Sequence, residues 1–464
     1  MLISMACAPV AAVSTDGPSI DTLYSDATII DGTGSPPKPH QDILVNGERI
    51  VAIGAHGSIA RGGNARQVDV SQRFIIPGLI DSHVHLETPP DNAVAKAMLR
   101  RDLYGGVTAV RDMADDLRPV GELKREALVG EIPAPDIFYA ALVAGPPFFG
   151  DERVIAESRG VVPGTAPWMQ AIGTHADIGQ AITLARGTSA TAIKIYADLS
   201  PEQVGALTRE AHRQHMLVWA HGAVFPARPA DVIGAGVDVV SHACYLAYQA
   251  FPKMPAAYED HTPVPDALIA TKGDDPVLAG LFREMKRRGE ILDATGRVFV
   301  AYEQAFKADP THRPARCTGA VATRITAQAW RAGLAISTGT DNTAAPSQDW
   351  PEVHDELLFL ARDVGMPPLQ VLHSATLVGA EAAGQAADMG SLATGKLANF
   401  VVLRADPSVD IRNIRSIQMT VKRGRQYLRS AYVPTTRAEM RTDDGLVSIP
   451  AAEWAVPGQP ASAQ

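Results

Sequence analysis

Eight short apolar runs punctuate this chain, several of them closing on a histidine or an aspartate, and helical stretches separate most of them. In chain order they read FIIPGLIDSHVH, GVTAVRDM, DIFYAAL, TAIKIYAD, LVWAHG, VDVVSHA, EILDAT and LAISTGTD. Between them, ALTREAHRQHM and LFREMKRRGE have the apolar spacing and charge of amphipathic surface helices. A strand that returns parallel to its neighbour needs a crossover, and a helix supplies it. Eight such units predict an α/β fold, a closed (β/α)8 TIM-like barrel. An open doubly wound sheet is the alternative. It would bring a glycine-rich phosphate loop after its first strand, and none is present.

Outside the alternation the pattern changes. ATIIDGTG and DILVNGERIVAIGA near the start, and SLATGKLANFVVLRAD and SIQMTVKRGRQYL near the end, read as short strands, with Asn46-Gly47 marking a hairpin. They predict a small β-sandwich domain built from both termini, residues 22–77 and 390–430, around a barrel at 78–389. Residues 431–464 are polar and Pro/Ala-rich and read as a C-terminal extension. Residues 1–21 begin MLISMACAPVAAVS, which is like the end of a secretory signal but lacks a positive n-region. Cytoplasmic and periplasmic or secreted locations both stay open.

A formal net charge of -9 and no basic patch argue against a nucleic-acid partner. No apolar run reaches the roughly 18 residues of a membrane helix. Cys7, Cys244 and Cys317 are an odd, sparse set, which argues against a disulfide framework and fits no zinc-thiolate motif. Cys244 and Cys317 therefore read as ordinary thiols.

The chemistry lies at the ends of the apolar runs. His83 and His85 stand two apart, so both face the same side of a strand, with Asp81 on that side too. His221, His242 and Asp341 each end a different run. In a barrel these ends share one face, where active sites are built. Four imidazoles and a carboxylate on one spot form a metal-ligand set, and the donor types suit zinc. Lys194 lies inside TAIKIYAD, between Ile193 and Ile195. It either reaches solvent at an edge or faces the barrel with a lowered pKa. A neutral amine there can take up carbon dioxide. The resulting N6-carboxylated lysine is an anionic two-oxygen ligand able to bridge two divalent cations.

PGLIDSHVHLE, IKIYAD, WAHG, VSHA and STGTDN, in this order, resemble the amidohydrolase superfamily. GSLATGKLANFVVL resembles that family's closing signature, and the likeness runs from residue 22 to about 430. It implies a barrel plus a sandwich from both termini, and a strand-four lysine implies the binuclear branch. On this likeness His83, His85 and Asp341 hold a more buried metal, His221 and His242 a more exposed one, and Lys194 bridges. The subgroup resembled is the imidazolonepropionase-related Xaa-Pro and Xaa-Xaa dipeptidases and ochratoxin amidases. Homo-oligomers are the rule that the likeness implies.

Three departures are visible. Gly222, Ala223 and Val224 follow His221, where many members carry a carbonyl-polarising tyrosine. LVAGPPFFGDER after run three has no histidine, and Asn399 replaces an aspartate. Tyr196, Tyr245 and Tyr248 are the candidate replacements for the phenol. Phe148 and Phe149 are candidates for an apolar pocket wall. Asn342, Trp350 and His354 lie in the stretch after Asp341, which should overhang the site. His212, His215, His261 and His312 have no convergent partners and read as surface or structural.

The expected function is hydrolysis of a small amide: a dipeptide, an N-acyl amino acid or a relative. Two cations lower the pKa of a shared water and supply hydroxide, and Asp341 serves as ligand and proton shuttle. A cyclic amide, lactone or ester is the alternative substrate for the same site. A deaminase would want a glutamate shortly after His221, and none is there. A non-catalytic binding barrel would lose ligands, whereas all six are kept.

Overall fold

A computed structural model describes residues 21–60, 63–88, 90–311, 314–341 and 348–436. The N-terminal segment before residue 21, Asn342, His312 and the chain after residue 436 lie outside the described residues. Among the described residues, no helix is long and apolar enough to cross a membrane.

All eight apolar runs form strands. The barrel strands, one to eight, are Leu79–Val84, Val107–Asp112, Asp136–Ala144, Ala192–Ile195, Leu217–His221, Val239–Ser241, Ile291–Asp293 and Ile336–Ser337. Each is parallel to the next. Ser82 N donates to Thr338 O at 2.7 Å and Asp341 N to His83 O at 2.9 Å, which brings strand eight against strand one. Asp81 adds to this seam: it accepts from Thr340 Oγ1 (2.8 Å), Thr340 N and His83 N. A hairpin of Thr165–Ala166 and Met169–Ala171 extends the sheet beside strand three.

The crossover helices are delimited by their own sequence. Pro201–Arg213 starts at Ser200, whose side chain caps Gln203 N while the Gln203 side chain returns to Ser200 N. It buries Val204, Leu207 and Ala211. Pro276–Arg288 starts at Asp275 and stops at Gly289, whose φ of 75° suits a residue without Cβ. The strands are buried on both faces, with Ile80, Val110, Ile193, Val218 and Val240 inside. Full burial of each such side chain contributes about 1.5–3 kcal/mol over leaving it exposed.

The first run is two strands. Phe74–Pro77 leaves the barrel and pairs antiparallel with Phe400–Leu403 in the second sheet. The break is Gly78, where a Cβ would run into Thr108. The second sheet draws on both termini, in the order Arg425–Leu428, Ile417–Lys422, Phe400–Leu403, Phe74–Pro77, Thr22–Ile29, Lys38–Asn46, Arg49–Ala55, with Arg66–Asp69 against Thr22–Ile29. Tyr24, Ile43, Ile75, Phe400 and Val421 form its core. The predicted hairpin forms with Asn46 opposite Arg49, so the loop is Gly47-Glu48, one residue later than read, with Gly47 at φ 55°. Asn399 accepts from Arg423 N at 2.7 Å and so serves this sheet.

Candidate metal and active site

The strand ends converge as their order in the barrel requires. His83 Nε2 lies 3.6 Å and His85 Nε2 3.5 Å from Asp341 Oδ1. The His83 and His242 rings are 4.7 Å apart, and the His221 and His242 rings 4.8 Å. Lys194 Nζ donates to Ser241 Oγ at 3.2 Å, one residue before His242. The tightest three-ligand group among the described residues is His83, His242 and Asp341, all within 4.8 Å of one another. His242 and Asp341 both have positive φ, 68° and 56°. Such backbone strain, costing about 1–3 kcal/mol per residue, persists where surrounding structure enforces it, commonly at active sites.

Three of the four imidazoles are oriented from behind. His83 Nδ1 meets Asp293 Oδ2 at 2.7 Å, His85 Nδ1 meets Asp115 Oδ1 at 2.8 Å, and His242 Nδ1 meets Thr295 Oγ1 at 2.8 Å. All three therefore present Nε2 to the centre. His221 differs: its Nδ1 is buried and has no hydrogen-bond partner among the described residues. An orphaned nitrogen inside a ring of ligand-type side chains fits a cation, so the donor set passes a chemical test for metal. Asp293 Oδ2 also accepts from Ser241 Oγ (3.1 Å) and Arg111 (3.3 Å), tying strands one, two, six and seven together. Gly339 makes room for it. A Cβ there would strike Asp293 Oδ1 and come within 2.6 Å of His83 Cβ.

Burial shapes the charge states. It pushes His83, His221 and His242 well below the usual imidazole range, with the Lys194 charge adding to the effect, so they are neutral donors at neutral pH. It lowers Lys194 to about 7, although Asp293 opposes the shift. It raises the Asp341 carboxyl against the pull of His85 and Lys194. For His85 burial is outweighed by Asp115 and Asp341, which lift it to about 9. That concentration of negative charge is also a favourable place for a cation.

A cavity of about 340 Å³ opens over these residues. Tyr196, Tyr245 and Phe148 line it, with the Tyr196 ring 4.0 Å and the Tyr245 ring 5.3 Å from His221. A larger cleft of about 560 Å³ holds none of these residues and takes in Leu217, Val239 and Ile291, on barrel strands five to seven, with His212 and Glu290.

Four expectations change. Tyr248 gives its hydroxyl to Thr262 O and packs between Phe225 and Phe251, so it is a packing residue. Phe149 is buried against Phe148 and Gly164, behind the wall rather than on it. His354 is fully buried, bonds Gly105 O at 2.8 Å and packs on Trp350; burial lowers it to about 3. Helix Val353–Arg362 has turned it into the helix packing, away from the cavity. His261, read as structural, lines the cavity.

Cys244 and Cys317 are joined as a disulfide, their Cα atoms 6.1 Å apart, which corrects the reading of two ordinary thiols. Counting three cysteines could not reveal that the barrel brings two of them together. Denatured without reductant, the 464-residue chain should titrate one thiol, Cys7, and after reduction three. Three thiols before reduction would rule the link out.

Other cavity residues had no sequence signal: Arg153, Glu157, Tyr258, Phe299, Tyr302 and Arg316. Asp115 and Asp293 were also missed, although the latter lies within the seventh predicted strand, EILDAT.

The profile of the amidohydrolase family matches residues 74–427. The D-hydantoinase of Streptomyces coelicolor is 32% identical over 95 residues, 19% of this chain and 20% of that protein, so the match spans about a fifth of that relative. The ochratoxinase of Aspergillus niger is 24% identical over 455 residues, 87% of this chain and 85% of that protein. Among solved structures, a Xaa-Pro dipeptidase with methionine bound in its active site superposes with a TM-score of 0.69 at 21% identity, over 88% of this chain and 100% of that one. The A. niger ochratoxinase structure superposes with a TM-score of 0.68 at 19% identity, over 89% and 96%.

Proposed function

Because the chain belongs to the amidohydrolase family, we propose that it hydrolyses the amide bond of a small substrate, a dipeptide or N-acyl amino acid, with two divalent cations, zinc by donor type. The observation that carries this reading is Lys194: an enclosed amine brought to about 7 by burial, among four imidazoles and a carboxylate. An amine of that kind is neutral enough near pH 7 to accept carbon dioxide. Carboxylated, Lys194 offers two anionic oxygens between the His83/His85/Asp341 and His221/His242 groups.

When bound, the cations supply Lewis-acid polarisation of the scissile carbonyl and bring the pKa of water toward 7. The side chains do the rest. Asp341 accepts the proton of the attacking water and delivers it to the leaving nitrogen, as the C–O bond forms and the C–N bond breaks. Tyr196, Tyr245 and Tyr258 are the phenols close enough to the histidines to donate to a carbonyl oxygen. Tyr258 is the most acidic: burial alone would raise it, but Arg153 and Arg316 bring it below the ordinary phenol value.

The test is a substrate panel. Protein loaded with Zn²⁺ in bicarbonate buffer is offered Xaa-Pro and other dipeptides, N-acyl amino acids, ochratoxin, hydantoins and lactones. Release of a free amine from an acyclic amide is the expected outcome. Turnover confined to lactones or cyclic amides would overturn the acyclic-amide reading.

A further inference from the structure

We propose that Arg316 is the seat for a carboxylate of the substrate, so that the amide cleaved at this site carries a free acid on one side. The inference rests on the hydrolase reading and extends it to the substrate's charge.

Arg316 is 9% exposed and lines the cavity. Its Nη2 donates to Tyr258 O at 2.7 Å and meets His261 Nδ1 at 2.9 Å. Its Nη1 is buried and has no hydrogen-bond partner among the described residues. No carboxylate pairs with it among the described residues. The guanidinium lies over Tyr258, its Cζ 4.2 Å from the ring centroid, with Phe225 and Tyr245 each at 5.7 Å. A guanidinium in such surroundings without a counter-charge is costly unless something anionic completes it. Planar forked donors match a carboxylate best, through paired N–H···O bonds. The cavity's other guanidinium, Arg153, is half exposed and already paired with Asp151.

The position suits the chemistry. Arg316 contacts Tyr245, and Tyr245 in turn stands 5.3 Å from His221 and 5.2 Å from His242, so the guanidinium is one aromatic ring away from the candidate ligands. The next residue, Cys317, is tied to Cys244, two residues past His242. The seat and the strand-six histidine are thus fixed in one frame. Phe148, Tyr196, Phe299 and Tyr302 give the cavity an aromatic wall, beside the polar Thr88, Arg153 and Glu157. An acid with an aromatic or branched apolar group therefore fits.

The test uses two probes that cannot be hydrolysed, 3-phenylpropanoate and the neutral 3-phenylpropan-1-ol, titrated calorimetrically into the metal-loaded full chain. The wild type should bind the acid at least tenfold more tightly than the alcohol. Arg316→Gln should lose tenfold or more for the acid and nothing for the alcohol, and Arg316→Lys should recover part of the difference. Equal acid binding by wild type and Arg316→Gln overturns the proposal. So does an equal loss of both probes, since that marks a packing role. Binding needs no turnover. Arg316-dependent acid binding in a protein that cleaves no amide would sink the hydrolase reading and leave the seat standing.

Discussion

Asp341→Asn is expected to lower turnover by about 10²–10⁴-fold, the range for loss of a positioned acid–base group. Asparagine keeps the shape, so the backbone bond from residue 341 to His83 O and the left-handed φ of 56° are retained. Asparagine also tolerates that φ better than most residues. What is lost is the charge that faces His83 and His85 at 3.6 and 3.5 Å, and the capacity to hold a proton. The measurement is kcat on the best amide of the panel, with the thermal midpoint as a folding control. A variant within tenfold of wild type would remove Asp341 from the proton path.

Lys194→Ala is the second large effect. Metal content and turnover should fall together, turnover by 10²-fold or more if a bridging anion is lost along with preorganised electrostatics. Lys194 is fully buried and its amine donates to Ser241 Oγ. Truncation leaves a cavity shaped for a small anion, so added acetate or propionate should restore part of both metal and activity. Rescue by methylamine but not by carboxylate would show that the amine itself, and no carboxylated form, is the working group. Full metal and full turnover in Lys194→Ala would discard the bridging role.

The strands and their polar ends were legible because both are local. A strand's burial on two faces writes a continuous apolar run, and a ligand at its end interrupts that run once. Lys194 showed itself by breaking Ile193 and Ile195 apart. What lies behind the ligands was not legible. Asp293 reaches His83 across 210 residues, and Asp115 reaches His85 from another loop. Gly339 reads as an ordinary loop glycine until its neighbours Asp293 and His83 are in place. The cavity walls were harder still, because Tyr258 and His261 come from a single short 3-10 turn and its end, and Arg316 from a loop, none of which carries periodicity. Cys244 and Cys317 are 73 residues apart, and only the fold brings them together. His354 failed in the opposite sense: proximity to Asp341 in sequence suggested the site, but its helix faces Gly105 instead.

The most direct test of the account is metal stoichiometry, by elemental analysis of protein loaded with Zn²⁺ in bicarbonate and freed of excess ion. Two ions per chain are predicted, falling in Lys194→Ala, with amide turnover rising in proportion to the second ion bound. Full amide turnover with one ion or none per chain, unaffected by bicarbonate, would contradict it.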